Sequence, residues 1–580
     1  MSYDTIIKGG RWFDGAGSPS AVRHLGLRGD RVVTVSATPL DEAGCPNVIE
    51  AQGKWVLPGM IDIHTHYDVE VLREPELVES VRHGMTTIVL GSCSLSTVHA
   101  APTDAGDLFG RVEAIPRPYV IETVERKKTW NSAREYAEAL ERLPLGPNLA
   151  AMIGHSDIRT ATMGLDRATR DDVRPTADEQ ARMEAALTEA LDAGFVGMSA
   201  QQLLFDKLDG AVARSRTLPS TYARWRERRR LNAILRQRGR LLQGGPDIGN
   251  PPRLAAMIFA SAGLFRKRLK TTLISAADLK ASPWIVYLMG ALARTANALN
   301  GDFRWQHLPV PFEVYADGID LVIFEEFGSG AAALHLADQV ERNALMRDES
   351  YRRRFRKDYD AKFGIRVWHR DFFDAEIVEC PDGSVLGKTF GQVGVDRGGM
   401  HPVDAFLDLV VEHGTKMRWR TTISNHRPEI LNKLSVHPGV QLGFSDAGAH
   451  LRNMAFYNFG LRFLRRVLHA EQAGTPFMTL EHAVHRLTGE LGDWYGIDAG
   501  HLREGDRADL VVVDPAGLDD SLDAYAESPV AMYGNLPRMV NRNDKAVSAV
   551  FVGGQYVFGD GKPAEVLGTR RTGRFLRAGG

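Results

Sequence analysis

The sequence predicts an α/β architecture: a TIM-type (β/α)8 barrel with insertions, joined to a small β-sandwich domain built from both chain ends. Three observations lead there. Short apolar runs alternate with amphipathic helical patterns through residues 58–498, as parallel βα units require. Residues 1–57 carry β-type segments separated by Gly and Asp turns, too few to enclose a core of their own. A matching set occupies residues 499–580, so the two ends are expected to complete one another with the barrel inserted between them.

Taken in order, the strand candidates of the first part are residues 3–8, 24–27, 31–35 and 54–57, and those of the last part are 508–513, 547–552 and 555–558, with Gly553 and Gly554 as the turn. The barrel candidates are 60–64, 86–90, 150–155, 195–199, 271–274, 304–307, 320–324 and 441–445. Segment 203–370 is longer than simple βα units need and reads as an enlarged insertion, a lid over the carboxyl-end face or a contact within a homo-oligomer. Its WIVYLM stretch at 284–289 suits a pocket for an apolar acyl or aromatic group, and equally an ordinary buried helix.

The chain has 580 residues, with 71 basic against 73 acidic side chains. That near balance supplies no general attraction to nucleic acid or anionic membrane, and no nucleic-acid partner is expected. Residues 211–240 hold ten arginines and one glutamate, and a second basic cluster lies at 352–357. Without interleaved aromatics, the first cluster reads as the solvated face of an inserted helix in preference to an RNA or acidic-ligand patch. Cys45, Cys93 and Cys380 are too few for a disulfide framework and fit a reducing compartment. The opening MSYDTIIKGG has neither a basic nor an apolar signal region. The longest apolar runs, 254–265 and 283–293, fall short of the ~18–20 residues that span a bilayer. No transmembrane segment and a cytoplasmic location are expected.

The sharpest motif is PGMIDIHTH at 58–66, an apolar strand ending in His-x-His. Alternate strand residues share a face, so His64 and His66 project together from the carboxyl end, where barrel active sites lie. Two imidazoles on one strand make half a zinc shell. Asp446, in GFSDAGAH at 443–450, ends a late apolar strand. A carboxylate placed beside a metal-bound water serves as base, since the metal lowers the water's pKa; the same aspartate also suits a turn or a helix cap. His450, four residues on, suits a substrate contact or a helix cap.

The chain resembles the amidohydrolase superfamily, and within it the N-acyl-D-amino-acid deacylases (D-aminoacylases). The resemblance rests on YDTIIKGG at 3–10, VLPGMID at 56–62, the His64–His66 strand end and LREGDRADLVVVDP at 502–515. It implies that Cys93, in GSCSLS at 91–96, is a thiolate metal ligand, where the residues alone suggest a buried structural cysteine. It implies that Asp446 binds metal and takes a proton from the attacking water. It also implies substrate-pocket positions for His155, in IGHSDIR at 153–159, and Ser199, in GMS at 197–199.

The pattern departs from the family in two places. The resemblance implies two further ligand histidines at the ends of later strands, where this chain reads LLQGGPD at 241–247 and LISAAD at 273–278. One zinc ion on His64, His66 and Asp446 is therefore expected, while a second ion on Cys93 lacks both partners. Gln243, Asp278 and His307 are the candidate replacements. An amide oxygen is a poorer zinc ligand than imidazole, so Gln243 is assigned to substrate contact, and His307 to the pocket or core.

The resulting expectation is a metal-dependent hydrolase of a non-peptide C–N bond in a small-molecule amide, above all an N-acyl (N-acyl-D-) amino acid. The same fold also serves hydrolysis of a cyclic amide, carbamate or ester, a lyase, condensation or transfer reaction, or a catalytically inactive binding scaffold. Metal dependence and a substrate panel separate them.

Overall fold

The computed structural model describes residues 2–361, 366–542 and 544–579, so residues 362–365 of the expected insertion lie outside the described residues. Eight parallel strand positions form the central sheet: β1 (Met60–Asp62, continuing past Ile63 as His64–Thr65), β2 (Met85–Leu90), β3 (Asn148–Gly154), β4 (Gly197–Gln201), β5 (Leu241–Gly245), β6 (Lys270–Leu273), β7 (Asp302–His307) and β8 (Val440–Leu442, continuing as Phe444–Ala447). Every residue of β2, β3, β4 and β5 is buried, as expected of parallel strands covered on both faces.

The last strand returns to the first. Phe444 pairs with His64 and Ala447 with Thr65 in parallel, and Ile63 N–H donates to Gly443 O at 2.9 Å. The sheet thus closes into the barrel. Gly443 permits the seam: its φ is +123°, and a Cβ there would lie 3.2 Å from Ile61 O.

One barrel strand differs from expectation. Residues 320–324 form no strand, since Val322–Glu326 is a 3-10 helix; the missing position is β5, whose LLQGG is short and ends in two glycines. Strands from both chain ends build one nine-stranded sheet, joined where Leu510–Val513 pairs antiparallel with Trp55–Pro58.

Segment 203–370 itself contains β5, β6 and β7. The larger cover over the barrel mouth is the connection from β7 to β8, with a three-stranded antiparallel sheet of Phe312–Asp317, Arg418–Ser424 and Glu376–Glu379. An aromatic core of Phe324, Trp368, Phe372, Phe390, Phe406 and Trp419 holds it together, all fully buried; Phe372 and Phe406 stack at 4.7 Å.

The arginine-rich stretch contains helix α2 (Trp225–Arg238), which packs on α1 (Ala177–Asp192). Arg230 pairs with Glu184 and Arg238 with Asp192. The single glutamate, Glu227, turns inward to His155 and Arg159. In the second cluster Arg352 and Arg356 both reach Asp404. Among the described residues no helix is long and apolar enough to cross a membrane.

Candidate metal centre and active site

The barrel seam gathers the titratable side chains. His64 and His66 leave β1 on one face, and their ring centres stand 5.4 Å apart. Asp446 Oδ1 lies 3.4 Å from Nε2 of each. Cys93, on the loop after β2, places Sγ 3.3 Å from His64 Nε2, and ligand atoms of His64, His66 and Cys93 all fall within 4.8 Å of one another. Cys93 and Asp446 both have positive φ, 52° and 55°, an uncommon conformation for residues with a side chain. In each case the chain turns sharply at a strand end and aims the side chain into the barrel mouth.

Neighbours orient these groups. His64 Nδ1 is 2.6 Å from Gln306 Oε1 on β7; an amide oxygen can only accept, so Nδ1 carries the proton and Nε2 presents its lone pair to the site. The loop after Cys93 is held by Asp157, whose carboxylate accepts from the backbone N–H of Val98 at 3.1 Å and of His99 at 3.0 Å. Ser199 Oγ accepts from Ser94 N–H at 2.9 Å.

Burial dominates the electrostatics. It pushes His64 down to about 4 and His66 to about 3, so both are neutral ligands at pH 7. It raises Asp446. Glu113 is pushed well above the ordinary glutamate value by burial and then by Asp446. The Cys93 thiol rises too, through burial and then Glu113. Neither lysine nor arginine occurs among the described residues lining this cavity, and His66 Nδ1, 3.4 Å from Glu113 Oε1, has no hydrogen-bond partner among them. Neutral imidazoles, a thiol and carboxylates that converge without a cation fit a bound divalent metal.

The model of the amidohydrolase family matches residues 47–237. A Mycobacterium tuberculosis protein, Rv2913c, is 55% identical over 100% of this chain and 96% of its own. The chain belongs to the amidohydrolase family. A D-aminoacylase of Alcaligenes xylosoxydans xylosoxydans is 31% identical across 34% of this amidohydrolase and 37% of its own length. Among solved structures, an N-acyl-D-glutamate deacylase from Bordetella bronchiseptica, complexed with zinc and a phosphonate inhibitor, aligns over 100% of both chains with TM-score 0.62 and 22% identity. A D-aminoacylase structure aligns over 99% of this chain and 100% of its own, with TM-score 0.62 and 20% identity. These two structures show the fold.

The amidohydrolase cavity, about 220 Å³, brings together His64, His66, Cys93, Asp446 and His450. Four residues assigned to substrate contact stand elsewhere. His155 is buried against Glu227 at 2.9 Å and Ser220 at 3.1 Å. Ser199 serves the Ser94 backbone. Gln243 Oε1 accepts from Cys93 N–H at 3.3 Å, behind the imidazoles. His307 Nδ1 donates to Ala276 O at 2.7 Å in the barrel interior. Asp278, the other candidate replacement ligand, is paired with Arg427. Each has a protein partner that only the folded chain supplies.

Sequence reasoning missed Gln306, Glu113 and Asp206. Asp206 lines the cavity, and burial raises it to about 7. Glu113 had a faint signal, a lone acid between Val112 and the apolar Ala114-Ile115 pair; nothing local distinguishes Gln306.

Proposed function

We propose that this amidohydrolase is a zinc-dependent hydrolase of N-acyl amino acids, the D-series foremost, acting on a C–N bond that is not a peptide bond. The observation that carries the reading is the convergence of His64, His66 and Asp446 across the closed seam, with Cys93 beside them. His64 and His66 would hold the ion, and Gln306 keeps His64 in the tautomer that leaves Nε2 free. Bound there, a zinc ion polarises the acyl carbonyl and lowers the pKa of water. Asp446 accepts a proton from the attacking water while the water oxygen bonds to the acyl carbon. The C–N bond then breaks, and Asp446 returns the proton to the departing nitrogen, leaving a carboxylic acid and an amine.

One ion is proposed, because neither Gln243 nor His307 offers Cys93 an imidazole. The unpaired cysteines accord with a cytoplasmic enzyme. The test is zinc content per chain together with acid release from a panel of N-acyl-D- and N-acyl-L-amino acids. Zinc-dependent release that disappears in His64→Ala supports the reading. Activity that survives both His64→Ala and Asp446→Ala overturns it.

A further inference from the structure

Beyond the polar end, the cavity wall is apolar: Phe205, Leu279, Met289, Phe312, Ile323 and Ile423 all face it. A space so lined gains most from a ligand that displaces water with hydrocarbon.

A second cavity of about 210 Å³ adjoins it, and the two share Phe205, Leu321, Val322 and His450. Its wall is charged, with Arg111, Lys207, Arg214 and Arg342 facing Asp209, Asp320 and Glu325. The arginines are committed: Arg111 to Glu325, Arg214 to Asp209, and Arg342 to Asp320 at 2.6 Å. Lys207 is not. Its ammonium makes no ion pair or hydrogen bond among the described residues, although the side chain is half-buried and burial lowers its pKa. Asp206 and Lys207 are successive residues of one loop, the first lining the catalytic cavity and the second the charged one. The bridge between Lys207 and Thr217 fixes that loop. Glu325, itself paired with Arg111, and Asp206 attract the ammonium from beyond ion-pair distance, and a partly desolvated ammonium with no direct partner gains from an anion that a ligand supplies.

Resting on the proposed hydrolase reading, we propose that the substrate is amphiphilic: an N-acyl amino acid with a long or bulky apolar acyl group, whose carboxylate is bound by Lys207. With the amide at His64, His66 and Asp446, the acyl chain fills the apolar cavity. The carboxylate passes His450 into the charged one.

The test uses the zinc-loaded full chain and calorimetric binding of ether isosteres of N-acyl-leucine, which lack the scissile amide, as free acids and as carboxamides. The dodecyl isostere is expected to bind more than tenfold tighter than the ethyl one, since each buried methylene adds about fourfold. Lys207→Met should weaken the dodecyl acid about tenfold and leave its carboxamide unchanged, and Lys207→Arg should keep most of the affinity. Equal binding of the two chain lengths, or an equal effect of Lys207→Met on acid and carboxamide, overturns the inference. Because binding is read apart from turnover, a protein that binds the isosteres as expected yet cleaves no N-acyl amino acid overturns only the hydrolase reading.

Discussion

Asp446 and His64 meet across the closing seam of the barrel, Oδ1 to Nε2 at 3.4 Å, because Phe444 on β8 pairs in register with His64 on β1. A slip of one residue along this seam would turn Asp446 away from the imidazoles. The geometry of the proposed site is therefore a property of barrel closure as much as of the residues themselves.

Asp446→Asn keeps the size and one acceptor atom but removes the proton acceptor. A positioned base contributes about 10²–10⁴ in rate, so kcat should fall by about a thousandfold with the far-ultraviolet circular dichroism unchanged. His64→Ala should lose zinc together with activity, whereas Asp446→Asn, whose amide is a weaker zinc ligand, should stay slow even when saturating zinc refills the site. Parallel measurement of kcat and zinc per chain separates the two roles, and an Asp446→Asn protein with near-normal kcat contradicts the assignment.

Gln306 acts through His64. Gln306→Leu removes the acceptor at 2.6 Å from Nδ1 and frees the ring to rotate or change tautomer. Losing such a partner typically weakens metal binding 10- to 100-fold. Competition with a zinc chelator should show that loss, and saturating zinc should restore most of kcat. Rescue of rate by zinc is the outcome a general folding defect would not produce.

How legible was this arrangement? His64 and His66 could be placed together because a strand alternates with period two, and Asp446 because an aspartate ends an apolar run. Gln306 and Glu113 could not, since their roles depend on distances set only when β7 and the loop after β2 close on β1. The partners of His155 were hidden for a related reason. Its partner Glu227 sits in the arginine-rich helix, where one acid among six arginines looked like part of a solvated face. Inter-strand connections carry weak periodicity, so segment 203–370 read as one insertion, although it holds β5, β6 and β7 and only the first part of the cover between β7 and β8.

Glu227 should confer acid-sensitive stability. Burial alone would raise its carboxyl, but His155 and Arg159 hold it at about 2 against an ordinary 4.5. A depressed carboxyl stabilises the fold above its ordinary pKa, and the contribution fades as pH falls through the folded value. Glu227→Gln leaves Arg159 buried without its anion and should cost about 3–5 kcal/mol at pH 7. The difference in denaturant stability between wild type and Glu227→Gln should be constant above about pH 5 and shrink steadily towards pH 2. A difference that does not change over that range would refute the pairing.

Cys93 offers the most direct view of the metal. Its Sγ lies 3.3 Å from His64 Nε2 in a buried pocket, where the carboxylates of Glu113, Asp446 and Asp206 oppose a free thiolate. Only a cation close to sulfur makes the thiolate favourable there. Replacing zinc with cobalt should give a near-ultraviolet thiolate-to-metal charge-transfer band, and Cys93→Ser should abolish it while leaving the visible bands of a cobalt ion held by imidazole and carboxylate. Persistence of the charge-transfer band in Cys93→Ser would assign the sulfur elsewhere. Its absence from the wild type, with cobalt bound, would make Cys93 a wall of the cavity and confine the ion to His64, His66 and Asp446.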